Sequence, residues 1–343
     1  MRRRTRSRVR ASRSGRHGRL AVTPSVTVVC GGVGAARFMR ALADVHSPAD
    51  TAAVINTGDD TVLHGLSISP DIDTVIYTLA GAIDPERGWG LHGESWRAME
   101  SLERYTAVKP NDSSAAPTWF NLGDKDLATH LYRTARLAEG TPLTLVTAEI
   151  ATAWGLEHRL LPMTDSKVST MVTLREESIE VPFQEYFVKR RHNVPVEAVR
   201  FAGADVASLT ALARLALVDS EVVVIAPSNP LVSIAPIRGL RDVDEILGAR
   251  RESVVAISPI VGGVALKGPA DQMLRELGHE PSVVGVARLY SEIAATLVID
   301  PVDEAHVPAI EAAGMRVVVT RSVMSEPGVG TELARRTLAA ARR

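Results

Sequence analysis

Short apolar runs rich in Val and Ile alternate with longer amphipathic stretches from Ser25 to the end of the chain. This alternation is typical of parallel βαβ units, and strands that are apolar throughout are typical of a sheet covered by helices on both faces. The predicted strands are 26–29, 52–55, 221–225, 253–257, 283–286, 296–299 and 315–320. The predicted helices are about 35–42, 71–80, 94–104, 125–138, 206–217, 242–249, 270–277 and 331–342. We therefore expect a Rossmann-like, doubly wound, mostly parallel α/β sheet.

Residues 140–200 interrupt this rhythm with short strand-like runs around a Glu176-Glu177 turn and an aromatic cluster at 183–187. Such a pattern predicts a smaller α+β insertion. The nucleotide-binding core is then expected to be formed by residues 23–139 and 201–343.

Residues 1–22 form a basic leader, in which the first 20 residues hold nine Arg and no acid. The leader loosely imitates a secretory signal, but the stretch that follows contains Thr23 and Pro24, and cleavage near Cys30 would delete the first predicted strand. We predict a disordered tail, or a start codon placed too far upstream.

Charge and cysteine content exclude several classes of protein. The chain has 39 Lys and Arg against 40 Asp and Glu, and removing the nine leader arginines leaves 30 bases against 40 acids, a net charge of −10. That balance argues against a nucleic-acid partner. The single Cys30 excludes a disulfide framework and a cysteine-rich zinc site. No uncharged apolar run reaches the ~20 residues that span a bilayer, so we expect a soluble cytoplasmic protein with no membrane partner.

A glycine-rich loop follows the first predicted strand. Gly31, Gly32 and Gly34 precede a helix whose first turn carries Arg37. Glycines let backbone amides approach phosphate oxygens, and a helix N-terminus adds positive potential. The dinucleotide fingerprint is incomplete, because Arg37 replaces its third glycine and Asn56 stands where an NAD enzyme carries an acid. The loop indicates a phosphate-bearing ligand, although a plain tight turn is the alternative.

Four carboxylates lie within fifteen residues after the second predicted strand: Asp59, Asp60, Asp71 and Asp73. With no cysteine cluster nearby, oxygen ligands of this kind suit magnesium. Asp71 follows Pro70 and is also typical of a helix start, and Asp60 is typical of a solvated turn. Asp59 and Asp73 are therefore the stronger metal candidates.

Polar loops also end two later predicted strands. Ser228 and Asn229 follow the strand at 221–225, and Ser258-Pro259 follows the strand at 253–257. Because ligands of open parallel sheets bind at the carboxyl ends of the strands, these loops predict one shared pocket. His130 follows Asp126 by four residues, so it is either catalytic or a packed histidine bonded to that acid.

Taken together, several motifs resemble the 2-phospho-L-lactate transferase family of coenzyme F420 biosynthesis over about residues 26–330. They are Gly31-Gly32-Val33-Gly34-Ala35-Ala36-Arg37, Asn56-Thr57-Gly58-Asp59-Asp60, His64-Gly65-Leu66, Pro70-Asp71-Ile72-Asp73-Thr74, Arg87-Gly88-Trp89-Gly90, 122–130, 161–165, Phe183-Gln184-Glu185 and Ala226-Pro227-Ser228-Asn229-Pro230. The Arg-Gly-Trp-Gly and Ala-Ala-Arg variants look more like the bacterial members, which use an enolpyruvyl donor. The basic leader is a departure from the family pattern.

The resemblance implies an enzyme that joins a guanosine-diphosphate-activated three-carbon acid to the ribityl hydroxyl of the deazaflavin Fo, releasing GMP, with Mg²⁺ and as a homodimer. It implies that the guanosine nucleotide is bound by Gly31, Gly32, Gly34, Arg37, Ser228 and Asn229. Asp59 and Asp73 become the catalytic and metal-binding candidates. Asp73 and Asn121 are expected to lie close to Fo, and the 140–200 insertion to wall the deazaflavin.

Two other functions stay open on the sequence. A non-catalytic, nucleotide-sugar-binding regulatory protein with the same core would need the glycine loop but not the acidic pair Asp71 and Asp73. An NAD-dependent dehydrogenase is disfavoured by Arg37 and Asn56. The sequence leaves open whether the transferred acid is phospholactyl, enolpyruvyl or glyceryl.

Overall fold

A computed structural model of the chain describes residues 24–341, so the predicted leader at 1–22 lies outside the described residues. Within this part the strands are β1 (Val26–Cys30), β2 (Thr51–Ile55), β3 (Thr61–Leu63), β4 (Leu66–Ile68), β5 (Arg159–Pro162), β6 (Ser169–Leu174), β7 (Ile179–Pro182), β8 (Val196–Ala202), β9 (Val222–Ile225), β10 (Val254–Ile257), β11 (Ile260–Val261), β12 (Val264–Ala265), β13 (Thr296–Ile299) and β14 (Arg316–Val319).

The α-helices of the described part alternate with these strands or groups of strands, and α12 follows the last strand. They are α1 (Gly32–Leu42), α2 (Pro70–Leu79), α3 (Arg97–Thr106), α4 (Asp124–Ala138), α5 (Leu143–Ala153), α6 (Ala211–Asp219), α7 (Ala235–Arg238), α8 (Val243–Ala249), α9 (Ala270–Glu276), α10 (Val283–Tyr290), α11 (Val307–Ala312) and α12 (Val329–Ala341). Over residues 24–341, none of the helices has both the length and the apolar character needed to cross a membrane.

Seven strands form the central sheet in the order β14-β13-β10-β9-β1-β2-β5, with every pair parallel. Strand order reverses at β1, which pairs with β2 on one side and with β9 on the other. Val28, for example, lies opposite Ala53 of β2 and Val224 of β9. A crevice at the carboxyl ends of the strands is expected beside such a switch in order.

Helices cover both faces of this sheet, and successive residues of β1 contribute to different cores. Val26, Val28 and Cys30 pack with α1, α2 and α12 in one hydrophobic cluster, whereas Val29 packs in the cluster on the other face. Because both faces are buried, four of the five residues of β1 are apolar, and the hydroxyl of the buried Thr27 donates a hydrogen bond to the carbonyl oxygen of Ala216 at 3.0 Å.

Three smaller sheets flank the core: the hairpins β3-β4 and β11-β12, and the antiparallel sheet β7-β6-β8. The three-stranded sheet coincides with most of the predicted 140–200 insertion, but β8 continues past its boundary to Ala202. Helix α5 and β5 also fall in that range, yet β5 pairs with β2 at the edge of the central sheet. The boundaries 23–139, 140–200 and 201–343 themselves stay a prediction.

The predicted α/β class with a parallel sheet and a small antiparallel addition is confirmed. The strand predicted at 283–286 is wrong, because these residues begin α10. The Ser282 side chain caps this helix by accepting hydrogen bonds from the backbone N–H groups of Val284 and Gly285, both at 3.2 Å. Residues 283–287 are all buried, and this first part of the helix therefore lacks the 3.6-residue alternation that separates a helix from a buried strand.

Candidate functional site

A cavity of about 800 Å³ opens at the carboxyl ends of β1, β2, β9 and β10. Its size is within the range of small-molecule sites in proteins. Every site residue predicted from the sequence lines it: Gly31, Gly32, Gly34, Arg37, Asp59, Asp73, Asn121, Ser228 and Asn229. The structure therefore brings together segments that are up to about 200 residues apart in the chain, between Gly31 and Asn229.

The glycine loop packs directly against the loop after β9. The Ser228 hydroxyl donates to the carbonyl oxygen of Gly31 at 2.8 Å and accepts from its N–H at 3.3 Å. Gly32 has a φ of +75°, a conformation that side chains disfavour. A Cβ at Gly34 would lie 2.4 Å from the carbonyl oxygen of Pro227, so a larger residue would force the two loops apart.

The Asp71 carboxylate holds the glycine loop in place through hydrogen bonds. Its Oδ1 accepts a hydrogen bond from the N–H of Gly32 at 2.7 Å, and its Oδ2 accepts one from Nδ2 of Asn56 at 2.9 Å. Asn56 in turn accepts from the N–H of Gly58 at 2.8 Å. Burial raises the pKa of Asp71 to about 6, against the lowering effect of Asn56 and Gly32. Asn56 therefore holds the carboxylate that orders the loop, a role that the sequence alone did not indicate.

Asp59 is buried and Asp60 is half-buried, and within residues 24–341 no basic side chain forms an ion pair with either. Among residues 24–341, Oδ1 of Asp59 and Oδ1 of Asp60 make no hydrogen bond. Burial raises the pKa of Asp59 well above its ordinary range, and the Asp71 carboxylate raises it further. Burial also raises the pKa of Asp60 to about 8, although Oδ2 of Asp60 accepts from the Ser69 hydroxyl at 2.7 Å. A bound cation would relieve this accumulation of negative charge.

Asp73 lies in a different electrostatic environment. Both of its oxygens accept hydrogen bonds from the guanidinium of Arg133, which is fully buried, and the Nη1–Oδ2 distance is 3.0 Å. Burial lowers the pKa of Arg133, but the Asp73 carboxylate more than offsets this, so the pKa is raised and the guanidinium stays charged. Asp73 thus already has a protein cation, whereas Asp59 has none bonded to it.

Asp73, Asp126 and His130 have ligand atoms within 4.8 Å of one another, the arrangement of a possible metal site. Both acids, however, already accept hydrogen bonds from other side chains of the protein. Asp126 accepts from the Tyr77 hydroxyl at 2.6 Å, and Nε2 of His130 lies 3.3 Å from Oδ2 of Asp126. His130 is buried beside Asp126 and both residues line the cavity, while within residues 24–341 Nε2 of His130 makes no hydrogen bond. The geometry therefore fits a packed histidine and equally one that faces the ligand.

Cations line the opening of the cavity. Arg37 and Lys267 are both exposed there, and within residues 24–341 no carboxylate lies within 4 Å of either side chain. Burial lowers the pKa of Lys267, and the charge of Arg37 lowers it further. Nζ of Lys267 also lies 3.4 Å from the carbonyl oxygen of Arg87. Two neighbouring cations without a counter-ion are typical of an anion-binding opening.

The small antiparallel region supplies an aromatic wall. Phe183 and Phe187 stack with ring centroids 5.4 Å apart and an interplanar angle of 16°, and Phe187 stacks on His192 at 5.2 Å and 19°. All three side chains line the cavity, as does Asn121, which precedes α4. A planar ring could extend this stack.

A family model described as 2-phospho-L-lactate transferase CofD matches residues 26–335. The chain belongs to this family. A phosphoenolpyruvate transferase of Streptomyces griseus subsp. griseus is 39% identical over 316 residues, which is 91% of this chain and 97% of that protein. A phosphoenolpyruvate transferase of Mycobacterium avium is 40% identical over 298 residues, 80% of this chain and 86% of that protein. The predicted resemblance is confirmed, as is the class of enzyme, a phosphoenolpyruvate/2-phospho-L-lactate transferase of F420 biosynthesis.

A solved structure of a UPF0052-family protein from Bacillus halodurans has a TM-score of 0.58 with this CofD-family chain. It is 13% identical and covers 92% of this chain and 99% of that chain. At this level of identity, the similarity shows the fold alone.

Sequence reasoning missed Arg133 and Lys267. Arg133 follows His130 by three residues on α4, and so lies on the same helix face as His130. This spacing of three residues is the sequence feature that places Arg133 beside His130. Lys267 follows a short hairpin, and nothing in its local sequence distinguishes it from a surface lysine.

Proposed function

We propose that this enzyme transfers an enolpyruvyl phosphate unit from a guanosine-diphosphate-activated donor to the ribityl hydroxyl of Fo, releasing GMP. The observation that carries the proposal is a single cavity lined by the glycine loop, by the buried carboxylates of Asp59 and Asp73, and by an aromatic stack. Of these two carboxylates, Asp73 bonds a protein cation and Asp59 does not. A three-carbon donor of the enolpyruvyl type is favoured because the 39–40% identical relatives are named phosphoenolpyruvate transferases.

The donor is proposed to lie on the glycine loop and the loop after β9. Gly31, Gly32 and Gly34 carry no side chains, so the diphosphate can approach the backbone at the start of α1, and Ser228 and Asn229 border the same crevice. Arg37 at the opening adds positive charge toward the phosphates.

The acceptor half is proposed to lie beside the aromatic stack and Asn121. Asp73 accepts a hydrogen bond from the ribityl hydroxyl and orients its oxygen toward the phosphorus that carries the three-carbon acid. A new P–O bond forms to this oxygen, the hydroxyl proton is released, and the P–O bond to GMP breaks. Such a reaction depends on positioning and on neutralising charge more than on covalent chemistry by the protein.

Magnesium is proposed as the metal, and Asp59 fits it better than Asp73. The unpartnered Oδ1 of Asp59 in the cavity is an oxygen donor of the kind that Mg²⁺ prefers, whereas Arg133 already occupies both oxygens of Asp73. When bound there, the metal would neutralise charge on the diphosphate.

The test is to incubate the protein and Mg²⁺ with Fo and, in separate reactions, the enolpyruvyl, phospholactyl and phosphoglyceryl guanosine diphosphates. Product masses and GMP release are then measured. We expect the enolpyruvyl product to form fastest. Formation of no product from any donor, with intact nucleotide binding, would favour the regulatory binding protein instead.

We further propose that the protein acts as a homodimer. Helix α6 exposes Leu212, Leu215 and Val218, three apolar residues at a spacing that places them on one face. Sedimentation equilibrium gives the mass in solution, and a mass of about 37 kDa, that of one chain, would contradict this.

A further inference from the structure

Arg133 is a charged side chain with no exposed surface, and it lies on α4 with its guanidinium against the carboxylate of Asp73 on α2. Burying a charge is costly unless it is paired and hydrogen-bonded. Two guanidinium nitrogens bond the two oxygens of Asp73. This two-point contact fixes the rotation of the carboxylate as well as its position, which a single ammonium group could not do.

The other contacts of Arg133 also hold the guanidinium in place. Nη1 lies 3.4 Å from the carbonyl oxygen of Ser67 and 3.3 Å from Nδ1 of His130. The neighbouring Asp60 carboxylate raises the pKa of Arg133 as well. Arg133 does not line the cavity, whereas Asp73 does. Any effect of Arg133 on the reaction must therefore pass through a residue such as Asp73.

We propose that Arg133 is a positioning residue for the transfer reaction, which holds the Asp73 carboxylate in the orientation that receives the acceptor hydroxyl. This inference rests on the function proposed above. It assigns to α4 a part in the reaction, since the helix fixes a side chain of α2 that is 60 residues distant in the chain.

The first test is Arg133→Lys, which keeps the charge and removes the two-point contact. We expect kcat to fall by about 10- to 100-fold, because misplacement of a reacting group by about 1 Å has effects of this size. Affinity for GDP, measured by calorimetry, should stay within about 2-fold of wild type, because the glycine loop is untouched.

A matched control is available on the same helix. Arg136 also makes a two-point contact with a carboxylate, Nε and Nη2 to Glu149 at 2.9 Å, but at the partly exposed surface and outside the cavity. Arg136→Lys should leave kcat within about 2-fold of wild type, since surface ion pairs contribute little.

A double-mutant cycle separates positioning from a merely structural role. If Arg133 acts through Asp73, then Arg133→Lys in an Asp73→Asn background should lower kcat by less than about 2-fold. Multiplicative losses would overturn the proposal, as would a kcat of Arg133→Lys close to wild type. An inactive wild type, in contrast, would refute the proposed function itself.

If Arg133→Lys fails to fold, variants with uncharged side chains at positions 73 and 133 provide the test. Asp73→Asn alone is then compared with Asp73→Asn combined with Arg133→Gln, which leaves no unpaired buried charge at the two positions. Equal kcat values within about 2-fold would support the proposal, and a further loss of about 10-fold or more would overturn it.

Discussion

Two carboxylates on the first turn of α2 are both buried, yet they have different partners. Asp71 bonds neutral donors, the N–H of Gly32 and the side chain of Asn56, whereas Asp73 bonds the guanidinium of Arg133. These neutral donors lower the pKa of Asp71 but do not offset its burial, which raises the pKa to about 6. The guanidinium supplies a full positive charge to Asp73.

This comparison shows that two acids close together in the sequence can have different roles. Asp71 serves the loop that we assign to the donor, and Asp73 serves the half of the cavity that we assign to the acceptor. Residues two apart on a helix point in different directions, so a single turn of α2 supports both halves of the reaction.

Removing the charge of Asp73 is the strongest way to test this comparison. Asp73→Asn should lower turnover by about 100-fold or more, as loss of a catalytic electrostatic group does. GDP affinity without metal should barely change. Steady-state rates with Fo and donor over a magnesium titration provide the measurement, and near-normal activity at every magnesium concentration would remove Asp73 from the site.

Asp71→Asn should affect the donor instead. An amide offers one acceptor where two are needed, so either Gly32 or Asn56 loses its partner. At about 1–3 kcal/mol for an unsatisfied buried donor, we expect GDP to bind about 10-fold more weakly. Turnover at saturating donor should fall far less than in Asp73→Asn. Equal losses in both variants would show that the two acids act as one unit.

Arg37→Ala and Lys267→Ala should each weaken GDP binding by a smaller factor, about 3- to 10-fold, because both side chains are exposed and solvent screens their charge. The effect should shrink as salt is raised. Calorimetry at two ionic strengths measures both quantities, with Arg214→Ala, an exposed arginine outside the cavity, as the control. Unchanged affinity would show that both residues are ordinary surface cations with no part in GDP binding.

The smallest expected effect concerns pH. The pKa of Asp60 is raised from 3.8 to about 8 and that of Asp71 to about 6, so the folded protein keeps protons that the unfolded chain releases. Their contribution to the free energy of unfolding is therefore fully present below about pH 4 and is lost as pH rises toward 8. Thermal melting without metal should show this decline, and Asp60→Asn should flatten it. A midpoint that rises between pH 5 and 8 would contradict the assignment.

The central sheet could be predicted because both of its faces are buried, which leaves continuous apolar runs such as 222–225 and 297–299. The same reasoning failed at 283–286, where the first turn of α10 is buried on all sides. It also missed β5, whose edge position leaves Arg159 half-buried and whose last residue is Pro162. Periodicity reports burial, and it identifies the element only where one face is exposed.

The residues of the cavity could be predicted because loops after parallel strands converge at one edge of the sheet. Their individual partners could not. The pairing of Asp73 with Arg133 joins residues 60 apart. The spacing from His130 places Arg133 on one face of α4, but it does not indicate that Arg133 is buried or which acid it bonds. Such pairings depend on how α2 packs against α4, which only the tertiary structure reveals.

The position of β9 in the sheet has a consequence for synthesis of the chain. Strand β9 covers one edge of β1, but about 190 residues separate Cys30 from Val222. At about 5–20 residues per second, a ribosome needs roughly 10–40 s to make that length. Throughout this interval a strand with three valines among its five residues has an unpaired edge, which is a template for aggregation. The nascent protein is therefore expected to require a chaperone until β9 has emerged.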